Sequence, residues 1–237
     1  METITRTHVQ KESMLPSDQI DQKKPAPTGV ATRWAQTTIL LLAPAVMAAG
    51  LLYHPHIGNP TDADFLATLA AAVSADTVRW AVAHLLVAVG SALILLAFLA
   101  LHNRLRVAGE HRWSALSLPF IVLGSVFYAL LPAMEFVPLA AADSGNDIQA
   151  AQGALFPWFI PTLFTAAGLF LMGALGYSIA LFRGDVLPRP LTWVVVIALL
   201  VMATARMVPL GLVQMQVQSL AGLLAFWPLA YGLSKSR

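Results

Sequence analysis

Two apolar runs of this chain each carry one ionisable residue at the same relative position. Pro119–Pro138, PFIVLGSVFYALLPAMEFVP, holds Glu135, and Pro190–Pro209, PLTWVVVIALLVMATARMVP, holds Arg206. In both, a proline opens the run, the charge follows sixteen positions later and Val-Pro closes it. As helices, the two runs set the acid and the base at a common depth, roughly 24 Å along each axis. A charge within an apolar helix is expensive and faces a partner or a cavity. Arg206 offers a planar fork of donors for a carboxylate or phosphate-like group, and Glu135 a site that can accept hydrogen bonds or exchange a proton.

Further polar residues gather at the same ends of their runs. Tyr53-His54-Pro55-His56 ends one run, Asp76, Arg79 and His84 open the next, and Gln214, Gln216 and Gln218 open the last. Gln214 and Gln218 share a helix face at i,i+4. Three readings follow. In the first, Glu135, Arg206 and His84, rimmed by His54, Gln214 and Gln218, form an outward-facing polar pocket for a small ligand or cofactor. In the second, Glu135 and Arg206 neutralise each other and tie two helices of a non-catalytic accessory subunit in a membrane complex. The third is a small-solute or proton-coupled transporter, whose site would use helices interrupted at Pro44, Pro132 or Pro161. His54, His56 and His84 also supply the atoms of a divalent-metal site, or of haem axial ligands. Against a metal, no two of them stand at i,i+4 on one helix and Arg206 repels a cation.

The elements that must position these residues follow from composition. Of 237 residues, 58% are hydrophobic and 11% charged, and the mean hydropathy is +0.72. Ordinary globular chains carry about 25% charged residues. The apolar residues fall into six runs, near Trp34–Tyr53, Val78–Leu101, Trp113–Val137, Pro157–Phe182, Leu191–Val208 and Leu212–Leu233. A hydrocarbon core of about 30 Å needs around 20 such residues, so the expected fold is an all-α integral membrane protein. Six transmembrane helices would form three outward-opening hairpins. Residues 1–32, polar and mixed in charge, read as a disordered cytoplasmic tail, and 33–237 as the transmembrane domain.

Charge sets the orientation. With an inside N-terminus, 12 of the 14 Lys and Arg residues lie inside and only Arg79 and Arg206 outside, as the positive-inside rule asks. The outer side then holds Asp62, Asp64, Asp76, Asp143 and Asp147. All six tryptophans fall near run ends, where their amphipathic rings suit the interface. Trp80 and Trp158 belong to the outer one. The expected location is the plasma (inner) membrane with both termini cytoplasmic, and the expected partners are the lipid bilayer and other membrane subunits. The basic residues are accounted for by topology, without nucleic acid.

Several chemistries lack their residues. There is no cysteine, which removes disulfides, thiolate metal sites and cysteine nucleophiles. No lysine lies within an apolar run, and Ser91, Ser117 and Ser125 stand outside any GxSxG elbow. No catalytic constellation is assigned. Gly90, Gly124 and Gly168 read as helix crossings, and Gly173 and Gly176 as points of close helix contact.

Overall fold

A computed structural model describes residues 30–55, 57–59, 61–208 and 211–235, and among them every regular element is helical. Most of the expected disordered tail, with His56 and Pro209, lies outside the described residues. The helices are α1 (Val30–Tyr53), α2 (Phe65–Ala75), α3 (Thr77–Val107), α4 (Arg112–Met134), α5 (Phe136–Asp143), α6 (Ile148–Gly184), α7 (Arg189–Thr204) and α8 (Leu212–Lys235). A 3-10 turn, Ala205–Met207, ends α7. Five stretches are long and apolar enough to cross a membrane: 31–53, 77–107, 112–143, 148–184 and 189–207. The chain is therefore membrane-like and multi-pass. α8 is as long as α1 and is not among these five.

The long helices pack in cyclic order. α1 lies against α3, α3 against α4, α4 against α6, α6 against α7, α7 against α8, and α8 returns to α1. The expected hairpins thus close into a six-helix ring. Small residues permit the closest approaches: a Cβ on Gly90 would stand 2.8 Å from the Met47 backbone, and one on Gly124 would stand 2.8 Å from the Phe170 backbone. Gly173 and Gly176 abut Ile121 and Ser117 of α4. A Cβ on Gly168 would meet nothing within 4 Å, so this glycine marks no crossing.

Two sets of ties define the ends of the ring. At one end Arg104 of α3 donates to Val186 O (2.8 Å), in the α6–α7 connection, and to Leu229 O (2.6 Å) of α8. Gly109, at φ +90, turns the chain out of α3, and Glu110 N donates back to Leu105 O, the pattern of a glycine-stopped helix. Glu110 then caps α4 by accepting from the backbone of Trp113 (2.7 Å) and Ser114 (3.0 Å). Burial by itself would raise the Glu110 carboxyl; these amide bonds outweigh it and hold the group below the usual carboxylate range.

The other end is capped by the segments between the long helices, which themselves form the short helices α2 and α5. Asp147 accepts from Ala150 N and starts α6 nine residues before Pro157. At 37 residues α6 is roughly 55 Å long, well beyond a core of about 30 Å. Its first turns pack with α2 and α5 around Phe65, Leu69, Val73 and Trp80. Trp80, expected at the interface, is fully buried beneath this cap.

Candidate functional site

The run ending at Glu135 does not stay one helix. Pro138 has no N–H to give Met134 O, and its ring crowds that carbonyl. α4 accordingly stops at Met134 and α5 begins at Phe136. Glu135 occupies the break, with Trp80 Nε1 donating to its backbone oxygen at 2.9 Å. Its side chain is 9% exposed. Oε1 accepts from Gln152 Nε2 of α6 at 3.4 Å, while Oε2 and the Gln152 oxygen have no partner among the described residues.

Arg206 lies in the 3-10 turn that ends α7. Its Nε donates to Gln218 Oε1 at 3.1 Å, and its guanidinium carbon stands 5.6 Å from the centre of the Tyr128 ring. The expected contact between Glu135 and Arg206 is therefore not made. The acid bonds to α6 and the base to α8 and α4, although each remains within electrostatic range of the other. Equal spacing along two runs does not bring the charges face to face: Glu135 falls between α4 and α5, and Arg206 in the 3-10 turn after α7.

Arg206 and Gln218 instead help line a cavity of about 30 Å³ at the centre of the ring, room for roughly two waters. All six long helices reach it: Pro44 and Met47 from α1, Ser91 and Ile94 from α3, Ser125 and Tyr128 from α4, Phe170 from α6, Met202 from α7, and Ser219 and Gly222 from α8. Ser91 and Ser219 satisfy their hydroxyls on Val87 O and Met215 O. Ser125 Oγ and Tyr128 OH are buried with no partner among the described residues. A cation and two unpaired hydroxyls thus face one small space walled elsewhere by Met47, Ile94, Phe170 and Met202. The arrangement suits a small anionic group. Further along the ring, Phe98 packs against Phe170, Tyr177 and Phe226 with ring centres 5.0 to 5.6 Å apart, and fills the middle of the bundle.

His84 does not line this cavity. It sits beneath Trp80, ring centres 4.6 Å apart, and faces His54 across a gap of 3.2 Å between the two Nε2 atoms. Gln214 is half-buried and outside the cavity lining. Arg79 donates to Tyr53 O (2.9 Å) and its backbone N–H to Asp76 Oδ1 (2.8 Å). Among the described residues no three His, Asp or Glu side chains gather as a metal site. Trp80, Tyr128, Ser125 and Gln152 are not singled out as site residues by the sequence. Trp80 and Gln152 belong to the buried cap, and Ser125 and Tyr128 meet Arg206 only through the ring closure. The one available signal is the i,i+3 spacing of Ser125 and Tyr128 in the run that carries Glu135. Comparison with family models, with curated proteins and with solved structures finds no match to this chain.

Proposed function

We propose that this chain is a six-span plasma-membrane protein, with both termini cytoplasmic, that binds a small amphiphile bearing a carboxylate or similar anionic head. The observation that carries the reading is Arg206: a guanidinium with no carboxylate contact among the described residues, beside two buried hydroxyls that lack partners, at a space that all six long helices line. In the bound state the head takes the two-water space beside the guanidinium and the Ser125 and Tyr128 hydroxyls, and the body is admitted only as the side chains of Met47, Ile94, Phe170 and Met202 move apart. The orientation is supported by the charges, since the end tied by Arg104 carries the basic connections 102–112 and 183–189. The accessory-subunit reading loses its main support with the missing Glu135–Arg206 contact. Transport gains none from a bundle filled around Phe98.

The test is thermal unfolding of tag-free protein in detergent, with medium-chain carboxylates set against the matching alcohols. A ligand that binds only the folded state stabilises by RT ln(1 + [L]/Kd), about 2.7 kcal/mol at a hundredfold excess over Kd. Saturable stabilisation by the acid, absent with the alcohol and lost in Arg206→Gln, is expected. Equal stabilisation in Arg206→Gln, or none by any carboxylate, refutes the proposal.

A further inference from the structure

The two histidines under the cap have a hydrogen-bonding pattern that leaves one thing missing. His84 Nδ1 lies 2.7 Å from Trp80 O, and His54 Nδ1 lies 2.7 Å from Pro55 O. Carbonyl oxygens only accept, so both Nδ1 atoms carry hydrogen. A neutral imidazole has a single N–H; each Nε2 is therefore a bare lone pair. The rings are 4.8 Å apart by centroid at an interplanar angle of 67°, and the Nε2 tips are closer still, at 3.2 Å. The two lone-pair edges are turned toward each other with no hydrogen between them.

From this juxtaposition we propose that His54 and His84 chelate one divalent transition-metal ion of the zinc–copper class through their Nε2 atoms. Two nitrogens 3.2 Å apart, each about 2.05 Å from a zinc-like ion, subtend about 100° at the metal, near the tetrahedral angle. The outer bonds also fit: a metal-binding histidine usually donates its other N–H to a carbonyl or carboxylate, which fixes tautomer and ring orientation. Both histidines already do so. His84 is held from the i−4 position of its own helix and His54 by the next residue, so the chelate is set by backbone. Trp80 walls one side, 5.3 Å from His54 and 4.6 Å from His84 by ring centres.

Two protein nitrogens leave coordination positions open. The charged groups near His54 are Arg206 and Arg79, and those near His84 include Arg206. Both are cations, so the open positions take water or an anion that offsets the positive field. The lining of the Arg206 cavity includes neither histidine, although the Arg206 charge reaches both; the two proposals are tested by different variants and different ligands.

The experiment uses tag-free full-length protein in detergent, titrated with Co²⁺ as a spectroscopic probe and with Zn²⁺ by calorimetry. Expected are one ion per chain, a visible d–d band typical of a four-coordinate Co²⁺ site, and displacement by Zn²⁺. His54→Gln and His84→Gln each weaken binding by about tenfold or more, because a chelate reduced to one imidazole loses half its protein bonds. If one variant fails to fold, the other carries the test, since His54 sits past the end of α1 and His84 inside α3. The proposal is overturned if wild-type protein binds neither ion, as a pair that only shares a proton would behave. It is equally overturned if both variants bind as tightly as wild type.

Discussion

Replacing Glu135 by Gln should leave the protein as stable as wild type or more so, although it removes a buried acid. The structure leaves two acceptors without a hydrogen at this point, Glu135 Oε2 and the Gln152 oxygen. In Glu135→Gln the new side chain would bring an amide NH₂ to that place and keep an oxygen for Gln152 Nε2. One unsatisfied buried group costs about 1–3 kcal/mol; relieving part of that gives a gain of up to about 1 kcal/mol, or roughly 2–4 °C in Tm for a chain of this size. Glu135→Leu is the contrasting change. It strands the Gln152 Nε2 as well, beside the oxygen that already lacks a partner, and a loss of about 1–3 kcal/mol follows. Thermal unfolding at neutral pH in one detergent measures all three proteins. The same reasoning fixes the outcome of a double-mutant cycle with Arg206→Gln. Where two buried charges touch, removing one costs about 3–5 kcal/mol. Here they have different hydrogen-bond partners and interact only through their fields, so the coupling in the cycle should fall well short of that cost. The reasoning is refuted if Glu135→Gln destabilises as much as Glu135→Leu, or if Arg206→Gln rescues it.

Two further predictions concern the frame. Gly124→Ala should destabilise strongly, by about 1–3 kcal/mol as for an overpacked core. Its new methyl would meet the Phe170 backbone at 2.8 Å, which no side-chain rotation relieves. Gly168→Ala, facing open space, should be neutral or slightly stabilising because alanine favours helix; equal losses at both positions would show that helix approach is not what selects Gly124. Glu110 should give a pH signature. Its folded-state carboxyl is held below its ordinary value, so the cap's stabilisation is complete above the unfolded carboxyl range and is lost as pH falls through the folded value. Wild type should therefore exceed Glu110→Gln in Tm near neutrality, with the gap closing under acid conditions; a gap independent of pH would contradict a charged cap.

What is legible in the sequence is the object's class and the ends of its helices. Uninterrupted apolar runs allow few folds other than helices that satisfy their own backbone groups, and the basic connections 102–112 and 183–189 mark one end of the bundle. The polar residues also stand out as a set, since an apolar helix carries Glu, Arg or Gln only at a cost. Their pairing is not legible. Sequence spacing gives depth along an axis; it does not give rotation about it, and Glu135 and Arg206 share the first without facing each other. Pro138 reads as the end of a run, yet it breaks the helix three residues earlier and turns Glu135 toward Gln152. That partner comes from the first turns of α6, outside the apolar run that begins at Pro157, and only the packing of α2, α5 and α6 around Trp80 brings it to Glu135. The cavity, likewise, exists only because α8 returns to α1 and closes the ring, which brings Ser125 and Tyr128 to Arg206, while the packing of α1 on α3 brings His54 to His84. Those contacts span tens of residues of chain, and they are decided by packing rather than by any local pattern.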